Sequence, residues 1–240
     1  MNIHFTDKTL FENLKNATLA KVRIGSHLYG TNNENSDIDY LYIYATSINE
    51  LNSFVWTNHQ LQYKEDGIDH NFVSLHSFIR NIINGDSTIN FEIVHSDELK
   101  GTCLEFLHTV RNSFNTYTMI RSYLGFARRD LKHIGKCNTV AEKLKKLEHI
   151  IRGSIFASHL ISVNDFPSKS LDFKLICNVL KEIIKNYNTE IIFEDKISFW
   201  SKDIDKARIE LTNKHDNKTL GLAKLMNVDD GRLLNAMLLS

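Results

Sequence analysis

The run from Arg23 to Tyr44, RIGSHLYGTNNENSDIDYLYIY, decides how the chain is read. An apolar strand ends in Gly25-Ser26 and a polar loop follows. Asp37 and Asp39 then stand inside a second strand rich in Ile, Tyr and Leu. Carboxylates are costly to bury unless they are paired, hydrogen-bonded or bound to a metal. On a strand, side chains at i and i+2 share a face, so both aspartates project together while Ile38 points away. Two like charges that close repel each other unless a cation lies between them. A divalent ion meets that need, and Mg²⁺ commonly takes one or two carboxylates plus substrate phosphates. Gly25 and Ser26 supply the complement. A strand end that turns into a short helix or loop offers backbone N–H groups and a hydroxyl to phosphate oxygens, and close approach of backbone to ligand favours a residue without a side chain. Together these residues describe a site for a metal-chelated nucleoside triphosphate.

Around this stretch the N-terminal part reads as mixed α/β. A first helix is expected in FTDKTLFENLKNA, with Thr6 or Asp7 as N-cap and Leu10, Phe11 and Leu14 at helical spacing. TLAKVRIG is a strand ended by Gly25, IDHNFVSL a third strand, and SLHSFIRNIIN a helix that stops at Gly85. NFEIVHSD reads as a fourth strand or a short connector. From about residue 111 the periodicity turns helical. Ile120, Tyr123, Leu124, Ala127, Leu131 and Ile134 form one stripe, and Val140, Leu144, Leu147, Ile151 and Ile155 a second. Further helices are expected around 171–187, 196–212 and 218–239, with breaks at Pro167 and NYNTE. The expected organisation is a small mixed α/β domain over residues 1–110 and an all-helical domain over 111–240.

The chain has 240 residues, 42% of them hydrophobic, enough for a sizeable core and unlike a disordered composition. The N-terminus has no basic and apolar leader pattern, and no apolar run is long enough to span a bilayer, so the expectation is a cytoplasmic protein without membrane association. Cys103, Cys137 and Cys177 fit neither a disulfide framework nor a zinc motif and are expected to be reduced and packed. Net charge is zero but uneven: residues 1–110 carry 7 Lys and Arg against 14 Asp and Glu, and residues 111–152 carry 10 against 3. An acidic part that holds cations and a basic part that attracts a polyanion is one reading of this asymmetry. Solvated helix faces are the other.

The order apolar-Gly-Ser, a spacer of ten residues, then Asp-apolar-Asp, as in Ile24-Gly25-Ser26 and Asp37-Ile38-Asp39-Tyr40, resembles the signature of the DNA polymerase β-type nucleotidyltransferase superfamily. The fuller run GSHLYGTNNENSDIDY is similar to the nucleotidyltransferases associated with RNA ligases, the RlaP-like group. FEIVHS, around Glu92, and SYLGFARRDLKHI…KLKKLEHIIRG resemble later blocks of that group. The resemblance implies an α+β fold, with a polymerase β-like palm followed by a helical domain that binds substrate. It implies a Mg²⁺-dependent transfer of a nucleoside monophosphate to an acceptor hydroxyl, with two ions expected and Mn²⁺ able to substitute. Gly25, Ser26, His27, Ser36, His149 and Arg152 would bind the nucleotide. His27 stands where the family usually has Arg.

Superfamily members usually carry a third carboxylate on a neighbouring strand. Asp69, at the head of DHNFVSL, is the candidate, with Asp66 and Glu65 as alternatives and a plain hairpin turn as the competing reading. Asp37, Asp39 and Asp69 would then form the catalytic and metal-binding set. Arg128, Arg129, Lys132 and Lys136 are candidates for contact with a polyanion, or solubilising charges. Glu92 is a site residue or a strand-edge charge. His70, His76 and His95 lack zinc-site spacing. The acceptor could be RNA or another polyanion, a small metabolite, or a protein hydroxyl. The competing classes are a regulatory protein that binds nucleotide without turnover and an interaction protein whose helical half does the work. Base preference, acceptor and oligomeric state are not readable from the residues.

Overall fold

The computed structural model describes residues 2–32, 34, 36–47, 60–114, 116–162, 173–185 and 193–216. The chain divides into two compact units, Met1–Arg111 and Asn112–Ser240. The first is a mixed sheet with helices. Its strands are β1 (Asn2–His4), β2 (Thr18–Ile24), β3 (Asp39–Tyr44), β4 (Gln60–Glu65) and β5 (Ile68–Ser74), in the order β1-β4-β5-β3-β2. β2 runs antiparallel to β3, β3 parallel to β5, β5 antiparallel to β4, and β4 parallel to β1. Its helices are α1 (Lys8–Asn16), α2 (Ser26–Tyr29), α3 (Leu75–Asn84), α4 (Thr88–His95) and α5 (Phe106–Val110).

Alternation along the strands sorts the two faces. Tyr42 and Tyr44 of β3 and Phe72 of β5 form one buried cluster with Phe11 and Leu14 of α1. Phe11 stacks on Tyr63 at 4.2 Å and meets Phe72 edge-on at 5.8 Å. α1 starts where Asp7 accepts hydrogen bonds from the amides of Thr9 and Leu10, so Asp7 and not Thr6 is the cap. On the same face Tyr42 Oη lies 2.9 Å from His70 Nδ1. Burial pushes the Tyr42 phenol up to about 12, and burial followed by Lys21 lowers His70, so the pair is a neutral hydrogen bond in the core.

The structure corrects several expectations. NFEIV is part of helix α4, capped by Ser87, whose hydroxyl accepts from the Asn90 amide at 3.3 Å. From Asn90 to His95 every residue of α4 is buried, so no polar face reveals its helical period. β4 reads too polar, and β1 is too short, to be recognised as strands. Strand β3 begins at Asp39, which leaves Asp37 outside it and exposed. The cysteines are free, but only Cys177 is buried, while Cys103 is exposed.

Among its described residues the second unit is built of helices joined by turns, with the short 3₁₀ helix Arg111–Ser113 leading into it. Helix α6 (Thr116–Ile134) lies along α7 (Val140–Ser162), and α8 (Phe173–Lys185) and α9 (Phe193–Asp216) pack against α7, with α9 also touching α6. The expected helix at 218–239 and the breaks at Pro167 and NYNTE fall outside the described residues. Beside the α6 stripe Asp130 is fully buried whereas Leu131 is only half-buried, and Val140 is 49% exposed. α6 and α7 approach closely at Gly153. A Cβ there would stand 2.9 Å from both the Ala127 Cβ and the Tyr123 carbonyl oxygen. Gly153→Val is expected to destabilise the protein by about 1–3 kcal/mol, through forced separation of the helices. Chemical denaturation checks this. Unchanged stability would mean that the contact yields freely.

Candidate active site

Four strands bring their site residues to one end of the sheet. Ile24, the last residue of β2, pairs with Asp39; Asp39 pairs with Asp69 of β5; Asp69 pairs with Lys64 of β4. Direct register neighbours share a face, so Ile24, Asp39, Asp69 and Lys64 form a row, with adjacent strands about 4.8 Å apart. Asp69 is thus the strand acid beside Asp39. Asp66 and Gly67 form the two-residue turn between β4 and β5, both at positive φ. Glu65 pairs with Ile68 across that turn and lies 3.8 Å from Lys8. Lys64 Nζ is 3.4 Å from Asp69 Oδ1, which partly offsets the repulsion between the two acids.

Gly25 joins β2 to α2 at φ 67° and ψ −146°, a conformation open in practice only to glycine. A Cβ there would stand 3.0 Å from Asp39 Oδ2, so the missing side chain is what lets the carboxylate lie against the turn. Ser26 and His27 open α2, and their amides precede any acceptor within the helix. The Nε2 of His27 is buried and has no hydrogen-bond partner among the described residues. Ser36 is half-buried in the segment that leads to β3.

α2 is held from below. The Tyr29 hydroxyl donates to Glu92 Oε2, with both residues essentially inaccessible. Glu98 Oε2 accepts from the Arg23 amide at 3.3 Å. Glu92 therefore buttresses the Gly-Ser turn and is not a strand-edge charge. Tyr29→Phe is expected to cost about 1–3 kcal/mol, the penalty for leaving a buried acceptor short of a donor. Equilibrium unfolding measures it, and a change within error would assign the Tyr29–Glu92 contact no net role.

Among the described residues no three His, Cys, Asp or Glu side chains converge closely enough to hold a metal ion. The geometry provides two register-paired acids, Asp39 and Asp69, with Asp37 two residues earlier on exposed chain. All are hard oxygen donors, the chemistry that Mg²⁺ selects, and the space at Gly25 is kept clear beside Asp39. His95 is a satisfied core histidine: its Nδ1 lies 2.9 Å from the Phe91 carbonyl oxygen.

His149 and Arg152 lie on α7 of the second unit. Sequence reasoning took the RRDLKH segment for surface charge or polyanion contact and missed Asp130, which is completely buried and receives Lys146 Nζ and His149 Nδ1, both at 3.0 Å. The signal was present: Tyr123, Ala127, Asp130 and Ile134 share a helix face, so an acid stands in an apolar stripe. Burial, and next the Arg152 charge, push His149 down to about 4. At neutral pH it is a neutral imidazole that donates from Nδ1 to Asp130. Below pH 6.5 the unfolded histidine binds a proton that the folded one refuses until about pH 4. Stability held by this residue is therefore complete above pH 6.5 and falls by roughly 3 kcal/mol on acidification toward pH 4. Burial alone would raise Asp130, but the hydrogen bonds from Lys146 and His149 outweigh it and hold the carboxyl below its usual range, so its contribution is lost only on further acidification, beneath the His149 window. Melting temperature measured from pH 7.5 to 4.5 should drop less in His149→Asn than in the parent. Parallel curves would refute the assignment.

Residues 8–193 match the family described as RNA repair pathway DNA polymerase beta family, RlaP. The chain belongs to this family. RlaP membership makes it a relative of the polymerase β-type nucleotidyltransferases. A curated relative, described as an uncharacterized 38.9 kDa protein in the nrdC-mobD intergenic region of Enterobacteria phage T4, is 26% identical over 171 residues, which is 65% of this RlaP chain and 47% of the phage protein. The chain thus spans about half the length of that relative. No solved structure matches. No helix among the described residues is long and apolar enough to cross a membrane.

Proposed function

We propose that the chain is a Mg²⁺-dependent nucleotidyltransferase that joins a nucleoside monophosphate from a nucleoside triphosphate to an acceptor hydroxyl, with an RNA end as the preferred acceptor class. The first unit is its polymerase β-like palm and the second its substrate-binding part. The observation that carries the reading is the packing of the Asp39 carboxylate on Gly25 with Asp69 in register beside it. The family description supports the RNA acceptor, and so does the basic segment 111–152.

In this reading the α2 amides and the Ser26 hydroxyl hold the triphosphate, and the Gly25 turn keeps the approach open. Mg²⁺ held by Asp37, Asp39 and Asp69 would neutralise phosphate charge and lower the pKa of the acceptor hydroxyl. The acceptor oxygen forms a bond to the α-phosphorus while the bond to the bridging oxygen of the β-phosphate breaks. Pyrophosphate leaves, and Asp69 or water takes the hydroxyl proton. No covalent enzyme intermediate is needed, and positioning with charge neutralisation does most of the work.

A second reading, nucleotide binding without turnover, is favoured by one observation: His27 follows Gly25-Ser26 where the family usually has Arg. A transfer assay with the four α-³²P nucleoside triphosphates, with and without Mg²⁺, separates the two. RNA, small metabolites and protein are offered as acceptors. Label that enters RNA only with metal supports the transferase; metal-dependent binding with no transfer supports the regulatory protein.

A further inference from the structure

Tyr117, Arg121, Gly125 and Arg128 follow one another on α6 at spacings of four, four and three residues, which puts them on one face. α9 faces them with Arg208 and Thr212 across a cleft of about 240 Å³. All three guanidinium groups are on exposed residues. Arg208 has Asp205 at 3.7 Å, whereas Arg121 and Arg128 have no carboxylate within ion-pair distance among the described residues. Arg129 differs from them: it turns to Asp130 at 3.4 Å. Arg121 lies over the Tyr117 ring at 5.9 Å.

Gly125 is harder to explain by folding. Glycine inside a helix is less stable than alanine, and a Cβ at Gly125 would meet nothing within 4 Å, in contrast to the tight contact at Gly153. Its absence leaves the floor open between two cations. Those cations stand seven residues apart, about 10 Å along the axis at 1.5 Å per residue. That spacing lets the two side chains take separate phosphates of one strand. The cleft is also smaller than the ~300–1,000 Å³ that encloses a small ligand. Its dimensions suit a passing stretch of backbone.

We propose that this cleft binds the phosphodiester backbone of single-stranded RNA, with Arg121 and Arg128 on separate phosphates. That the strand is the acceptor rests on the transferase reading; that it binds here does not.

The test is fluorescence anisotropy of the full chain with a fluorescein-labelled 12-nucleotide RNA, titrated at several salt concentrations in EDTA. Arg121→Gln/Arg128→Gln should weaken binding at least tenfold and flatten the slope of log K against log salt by about 1.4, at ~0.7 per single-strand phosphate contact. Gly125→Leu should weaken binding about tenfold with an unchanged or higher melting temperature. Lys174→Gln/Lys181→Gln removes equal charge from exposed positions on α8 and should change affinity less than twofold. An unchanged slope in the arginine variant, or an equal loss in the lysine control, overturns the proposal. So does binding of tripolyphosphate by the cleft with no binding of RNA. Asp37→Asn/Asp39→Asn separates the two readings. RNA binding that persists while the parent transfers no label leaves the cleft standing without the transferase. Transfer with no RNA binding does the reverse.

Discussion

Asp37→Asn/Asp39→Asn is expected to abolish metal-dependent nucleotide transfer, by about 10³-fold or more, without unfolding the protein. The reason is a separation of roles visible in the fold. Neither carboxylate is a fully buried core group, and Asp37 is exposed ahead of β3. Asparagine keeps the shape of the side chain but loses the charge that a divalent ion and a triphosphate need. Charge stabilisation of that kind is worth several kcal/mol, and each 1.36 kcal/mol is tenfold in rate. Stability should hold or rise slightly, because removing one of two acids directly opposite on neighbouring strands relieves repulsion worth about 0.2–1 kcal/mol. Transfer from an α-labelled triphosphate and thermal unfolding, read side by side, check both halves. Retained transfer would falsify the metal-site reading; lost transfer with a collapsed fold would show that the aspartates are structural.

Gly25→Ala should damage activity and stability together. The backbone there is strained for any residue with a Cβ, at about 1–3 kcal/mol, and the new methyl group would also press on Asp39 Oδ2. Displacement of a reacting group by about 1 Å can cost 10²-fold in rate, so transfer should fall by at least that much. An Asp39→Ser background removes the steric part but not the backbone part. Gly25→Ala should therefore destabilise that background less than the parent. Equal losses in both would place the whole effect in the backbone.

The first unit was legible where local chemistry and tertiary packing agree. Asp7 before an amphipathic run, Gly25 and Gly85 as stops, and the Ile-Tyr-rich run after Asp39 all became what their residues imply. Asp69 was chosen from its place at the head of a strand, and the parallel register pairs it with Asp39. Legibility failed where the surroundings, not the residues, decide. α4 is enclosed on every side and shows no period. β4 is polar because neither of its faces is fully buried, and Asp130 hides among cations that read as solvent-facing. The strand assigned to Asp37 begins two residues later, since alternation alone does not say where pairing starts.

The parallel register of β3 and β5 places the two acids side by side, so the chemistry depends on bookkeeping along the backbone as much as on side-chain identity. A slip of one residue would put His70 or Ile68 opposite Asp39 in place of Asp69 and turn the aromatic face toward the site. An acid pair made this way is all or nothing: it exists in full in one alignment of the strands and in no other. On the transferase reading, an insertion or deletion within β3 or β5 should then abolish transfer as surely as loss of the carboxylates themselves, even with Asp39 and Asp69 still present in the chain.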